Sequence, residues 1–197
     1  TEDITALCLA FPNEYGGHDL IMRFWIPAEE ARKRARLDRV PYLDWIKSGH
    51  LKASDTHAGL SVDYDLIRNE VNELAKVYNI REIAIDPWNA TQLALDLESK
   101  DCFNVEKFRQ GYATMSAPTK DFDRQVRGGM LRHGNNPILT WMAGNVAIEK
   151  DAAGNIKPTK KHSHERIDGI VAAVMAVGRA SAAAPSDCWK PADGVTL

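Results

Sequence analysis

Two aspartates stand in sequence contexts that call for chemistry. Asp86 directly follows the β-branched run Ile83–Ile85 and precedes Pro87; in α/β sheets, ligand sites gather at the carboxyl ends of strands. Asp-Pro also starts turns and caps helices, so a cap and a site are both open readings. Asp168 lies in "SHERIDGIVAAVMAVGRA", which reads as a long helix capped by Ser163, with Asp168 about one turn in. It borders an apolar face made by Ile167, Val171, Ala172, Val174 and Met175. A carboxylate there has to be paired, hydrogen-bonded or coordinated to a cation. Arg166 or simple exposure would serve as well as a metal. If the two acids converge, they repel unless a divalent cation bridges them, and such a cation activates water and stabilises a leaving oxygen. An oxygen-only site suits Mg²⁺ or Mn²⁺, and His162 and His164 add the option of a histidine contribution.

Basic residues accumulate in the same half of the chain: Arg109, Lys120, Arg124, Arg127 and Arg132, then Lys157, Lys160, Lys161 and Arg166. A polyphosphate backbone needs such a local patch, although charge runs are commonly just solvated faces. With 25 Lys+Arg against 27 Asp+Glu, the net charge of −2 gives no whole-molecule attraction for nucleic acid. The cysteines, Cys8, Cys102 and Cys188, form no C-x-x-C pair, which argues against a disulfide framework or zinc knuckle and fits a reducing, intracellular setting. No apolar run approaches the roughly 18 residues of a membrane span, and the start of the chain lacks the basic stretch of a signal peptide.

The elements that must position these residues follow from periodicity. Ile4–Phe11 and Leu20–Ile26 are strand-length apolar runs joined by "PNEYGGH", a hairpin. Ala28–Gly49 reads as helix broken near Pro41, with Tyr42 and Trp45 docked in the core. From Asp63, a cap, Leu66, Ile67, Val71, Leu74 and Val77 recur near 3.6 residues and predict an amphipathic helix. A strand to Ile85, a break at Asp86-Pro87, a helix from about Ala90 and a strand at "VEKF" follow. Pro118 and Gly128-Gly129 bracket a further helix, "NVAIEKDAAGNIKPTKK" turns at Asp151 to Asn155 as a hairpin, and Pro185 onward reads as a mobile tail. Trp88 is expected in the core rather than on DNA, since aromatic side chains mostly bury. Helix, strand, helix is the signature of a layered α/β domain.

The blocks "EIAIDPWNATQLALDLE", "RQGYATMSAPTKDFDRQV", "LRHGNNPILTWMAGNVAIEKDAAGNIKP" and "ERIDGIVAAVMAVGRA", in that order, resemble the C-terminal nuclease domain of the large terminase subunit of tailed bacteriophages. The resemblance implies an α/β, RNase H-like mixed sheet flanked by helices, with an auxiliary β-hairpin near the active site. It implies one nuclease domain over residues 1–184, followed by a flexible tail over 185–197. The implied activity is a two-metal endodeoxyribonuclease, using Mg²⁺ or Mn²⁺ to cut concatemeric double-stranded DNA when packaging starts and ends. Asp86 and Asp168 match the second and third metal-binding acids, and Arg109, Lys120, Lys160 and Lys161 would hold the phosphate backbone. The first acid belongs on a strand just upstream of "TEDITAL"; Asp3 matches a turn position instead. Implied partners are double-stranded DNA, an N-terminal ATPase domain of the same polypeptide, the portal protein and the small terminase subunit, in the host cell cytoplasm and with no membrane. The 197 residues contain no G-x-x-x-x-G-K-[ST] loop. The rival reading is a catalytically incomplete DNA-binding or portal-docking module, whose metal site is dead for want of the first acid.

Overall fold

A computed structural model describes residues 4–37, 40–55, 62–162 and 165–183. The expected Ser163 cap, His164 and the 185–197 tail lie outside the described residues. The first sheet begins with the antiparallel hairpin β1 (Thr5–Pro12) and β2 (His18–Pro27), in register from Thr5 opposite Trp25 to Pro12 opposite His18. Asn13 shapes its turn: the side-chain oxygen accepts the N–H groups of Tyr15 and Gly17, both at 3.1 Å. On the other edge of β2 run β3 (Lys52–Ser54) and β6 (Leu131–Arg132), both parallel to it. A second sheet pairs β4 (Ile83–Ile85) and β5 (Val105–Lys107) in parallel, and β7 (Val146–Lys150) with β8 (Ile156–Lys160) makes a separate antiparallel hairpin.

Seven helices lie among the described residues: α1 (Ala28–Leu37), α2 (Tyr42–Lys47), α3 (Tyr64–Ala75), α4 (Pro87–Ser99), α5 (Tyr112–Arg127), α6 (Pro137–Asn145) and α7 (Asp168–Ala182). One apolar cluster gathers Leu20, Met22, Phe24 and Ile26 of β2, Tyr42 and Trp45 of α2, and Met142, Ile170, Val174 and Val177. A second holds Ile67 and Val71 of α3 with Ile83, Leu93, Leu97 and Trp25. Tyr42 and Trp45 are core as expected, and Asp63 caps α3 by accepting the Asp65 N–H at 2.9 Å. Leu66 and Val77, expected on the buried face of α3, are exposed, and Val77 lies beyond its last turn.

Three helix boundaries differ from the expectation. Helix α4 starts at Pro87, because proline suits a first helical position whose N–H needs no partner; Ala90, expected at the start, marks a kink instead, at φ −126° and ψ 25°. Helix α5 starts at Tyr112, so Pro118 stands in its interior, where its ring packs on Gly178 of α7. Helix α7 starts at Asp168 itself rather than a turn earlier. Ile167 is non-helical (φ −135°, ψ 10°), and the Arg166 carbonyl accepts the Asn145 amide at 3.0 Å, drawing this segment toward the base of the β7–β8 hairpin.

Candidate active site at the end of an open groove

Asp86 is the N-cap of α4. Its Oδ1 accepts the backbone N–H of Trp88 at 3.1 Å, while Oδ2 accepts none from the described residues. The cap and the ligand readings are therefore compatible, one oxygen for each. Asp168 is the first residue of α7 and half-buried, where the positive end of the helix dipole favours a carboxylate.

Asp86 and Asp168 line the same groove, and an ion pair between the elements that carry them relates their levels. Arg179 grips Glu82, the residue before β4, through Nε–Oε1 at 2.5 Å and Nη2–Oε2 at 2.8 Å. From Arg179 back to Asp168 the helix rises roughly 16 Å. From Glu82 forward to Asp86 the strand advances roughly 13 Å. The two spans nearly match, so with α7 running back along β4 this anchor would bring Asp168 near the level of Asp86. At that end α7 lies tight against β2: a Cβ on Gly169 would come within 2.8 Å of Phe24 and 3.0 Å of the Met142 sulfur. Phe24 pairs with Ala6, so the start of β1 is at this end too.

Both acids line one groove of about 960 Å³. One wall is β1 from Ile4 to Pro12, the other is β4, and α7 contributes Val171, Ala172, Met175 and Ala176. Among the described residues, β1 pairs only with β2 and β4 only with β5, so each presents a strand edge with no partner strand to the space between them. Mostly apolar walls beside strand edges that lack a second partner strand among the described residues are the surroundings of a β-strand.

The expected basic patch is thinner than the sequence implies. Arg124 pairs with Asp121 at 2.6 Å, Arg127 with Asp123 at 2.8 Å and Arg132 with Asp19 at 2.8 Å, while Arg166 is buried. Arg109 is exposed and makes no ion pair among the described residues. The Phe108 N–H donates to the Ile85 carbonyl at 2.8 Å, which carries Arg109 alongside the Asp86–Pro87 turn. Lys120 is also exposed, but its neighbours Pro118 and Asp121 touch Gly178 and Ser181 of α7, roughly 15 Å of helix from Asp168. Lys160 ends β8, and the Lys161 ammonium donates to the Gly144 carbonyl at 2.6 Å, so both belong to the hairpin base near Arg166. His162 is exposed, its backbone N–H donating to Glu165 at 2.9 Å.

Tyr112 ties the hairpin to α5. The Lys157 ammonium sits 4.4 Å from its ring centroid, and a hydrogen bond to the Glu149 carboxylate, with burial second, pushes its hydroxyl up to about 12. Sequence reasoning missed this tie and the Glu82–Arg179 clamp, since ion pairs distant in sequence leave no local pattern. It also misplaced Trp88, which is 85% exposed rather than core. The position announces this in retrospect: a residue just after Asp-Pro occupies the first turn of a capped helix and points outward.

The separate sheets and their flanking helices make a mixed α/β fold, which comparison with known proteins identifies as the RNase H-like fold of terminase nucleases. The chain belongs to the family of terminase large subunit endonuclease domains, whose model matches residues 1–184. It is 34% identical over 180 residues to the terminase large subunit of Enterobacteria phage HK97, and 34% identical over 191 residues to the protein YmfN of Escherichia coli K12. It spans 35% and 40% of the lengths of those two relatives. The crystal structure of the HK97 large terminase superposes with a TM-score of 0.81 at 32% identity, over 90% of this chain and 37% of that one. The large terminase nuclease from thermophilic phage G20c shares the fold at 12% identity, with a TM-score of 0.51 over 61% of this chain and 64% of that one.

Proposed function

We propose that the chain is the metal-dependent endonuclease domain of a viral DNA-packaging terminase, C-terminal in a longer polypeptide, and that it cuts concatemeric double-stranded DNA at packaging initiation and termination. The observation that carries this reading is that Asp86 and Asp168 line one groove in a chain of the terminase endonuclease family. The donor set fits Mg²⁺ or Mn²⁺: both acids offer oxygen, and Mg²⁺ characteristically takes one or two carboxylates, several waters and substrate phosphate. Asp86 would ligate through Oδ2 and Asp168 through its carboxylate. Two ions bound there would activate the attacking water and neutralise charge on the leaving oxygen. The protein supplies orientation. The Trp88 N–H fixes Asp86, the Glu82–Arg179 clamp and the Gly169–Phe24 contact fix Asp168, and Arg109 stands where it can hold a neighbouring phosphate. Lys120, Lys160 and Lys161 would bind phosphates farther along the duplex without reading its sequence.

The groove, lined by two strand edges that lack a partner strand among the described residues, supports an upstream strand carrying the first acid. A strand preceding β1 and joined to it by a short turn would run antiparallel to β1 and parallel to β4, pairing both free edges. Its carboxyl end would arrive at the level of Asp86 and Asp168. Residues 1–184 would then form the nuclease domain together with that strand, and 185–197 a tail. The ATPase domain, portal protein and small terminase subunit remain the expected partners, in the host cytoplasm; among the described residues no helix is long and apolar enough to cross a membrane.

The second reading, a docking or DNA-gripping module with a dead site, draws on one observation: no group of three His, Cys, Asp or Glu suited to a metal occurs among the described residues. A polypeptide extended upstream by one strand separates the two. The nuclease reading expects it to melt higher than the 197-residue chain and to nick supercoiled plasmid in Mn²⁺. Higher melting without nicking favours the docking module.

A further inference from the structure

The most exposed large apolar side chain among the described residues lies two positions from a site carboxylate. Trp88 is 85% exposed, well above Leu37 at 69% or Tyr15 at 57%. Its backbone is held while its ring is free: the N–H is committed to Asp86 Oδ1 at 3.1 Å, and Pro87 sets the first helical position. With its backbone held, this side chain has only two rotatable bonds to fix on binding, which is why tryptophan is favoured where a partner must be gripped.

The surroundings define the partner's charge. Lys107 and Arg109, on the segment running parallel to β4, are exposed and make no ion pair among the described residues. An exposed aromatic ring on the same strand end as unpaired cations has the composition of a nucleic-acid contact, the ring packing on a sugar face while the cations are drawn to the backbone. A substrate phosphate brought to Asp86 has its neighbouring nucleotide within reach of a side chain two residues away.

We propose that Trp88 contacts the DNA strand directly, packing its ring face against the nucleotide next to the scissile phosphate, while Lys107 and Arg109 hold the phosphates on either side. This rests on the nuclease reading and assigns it a residue that grips substrate rather than metal. Because the Asp86 cap uses the backbone N–H, replacing the Trp88 side chain leaves the carboxylate's geometry intact. Because the ring is exposed, truncating it opens no cavity.

The test uses the full-length polypeptide carrying this chain, with Ca²⁺ in place of Mg²⁺ to hold the DNA uncut. Binding of a fluorescein-labelled duplex is followed by anisotropy for the wild type, Trp88→Ala and Trp88→Phe, with circular dichroism to check folding. A bromodeoxyuridine duplex is photo-crosslinked and the tryptic peptide Glu82–Lys100 analysed by mass spectrometry. Packing against one nucleotide predicts a loss of about fivefold or more in affinity for the alanine variant, recovery of most of it by phenylalanine, and a crosslink on Trp88. A loss smaller than that with Trp88→Ala, or a Glu82–Lys100 peptide free of crosslink, overturns the contact while leaving the nuclease reading standing. A wild type that binds no DNA overturns both.

Discussion

Arg179 and Glu82 form a two-pronged ion pair at 2.5 and 2.8 Å that joins the last turns of α7 to the foot of β4. The pair lies at the opposite end of the helix from Asp168, yet it fixes the register of α7 against β4, the elements that carry Asp168 and Asp86 to one groove. With the side chains 38% and 25% exposed, its direct contribution to stability is about 1 kcal/mol or less.

Glu82→Gln should therefore lower the melting temperature only slightly while letting α7 slide. Misplacing a metal ligand by an ångström is costly, so cleavage should fall by about tenfold or more with duplex affinity unchanged. Steady-state cleavage beside anisotropy binding checks this; an equal loss in both would mean that the clamp serves folding alone.

Asp86 caps α4 with one oxygen, and the nuclease proposal gives its charge a second duty toward a metal. Asp86→Asn keeps an oxygen to cap α4 but removes the charge, so it should melt close to the wild type and lose divalent-cation binding. Asp86→Ala loses both, and the missing cap should cost about 1 kcal/mol. Thermal melts with isothermal titration of Mn²⁺ compare the pair, and identical melting of the two variants would contradict the cap.

Gly169 is held between Phe24 and Met142, where a Cβ has no room. Gly169→Ala should destabilise the fold by about 1–3 kcal/mol and push the first turn of α7 outward, taking Asp168 with it. Denaturant titration measures the first effect. Gly154→Ala is a useful contrast, because there the penalty comes from its φ of +84° in the β7–β8 turn and leaves α7 undisturbed.

The Arg68 guanidinium, doubly hydrogen-bonded to Asp101 at 2.6 and 2.7 Å, holds that carboxyl below its usual 3.8. A depressed carboxylate contributes stability that is present above the unfolded value and lost as pH falls through the folded one. Melting temperatures measured from pH 7 down to 2 should fall below about pH 4 in the wild type, and Asp101→Asn should be lower at neutral pH with a shallower acid limb.

Much of this architecture is legible in the residues. The β1–β2 hairpin, the amphipathic α3, the strand ending at Asp86 and the β7–β8 turn carry local signals, and the Asp151–Asn155 bonds at 2.8 and 2.9 Å show one of them at work. Helix α6 was missed although Asn136 caps it and Pro137 opens it, because its apolar run lacks a polar face to set a period. The start of α7 could not be read from the 163–168 segment, since it is decided by the Asn145–Arg166 bond from a distant hairpin. The basic patch dissolved for the same kind of reason: arginines counted along the sequence do not show the aspartates that meet Arg124, Arg127 and Arg132 in space. Trp88 was misread because burial is the rule for tryptophan, and its exposure belongs to its place beside Asp86.

The central claim is that Asp86 and Asp168 act together as ligands of a cutting site. The most direct measurement is conversion of supercoiled plasmid to nicked and linear forms by the full-length polypeptide in Mg²⁺ or Mn²⁺ and in EDTA, for the wild type, Asp86→Asn and Asp168→Asn. Cutting by the wild type that needs the metal, and its loss in both folded variants, is the predicted result. Metal-dependent cutting that survives either substitution would contradict the account.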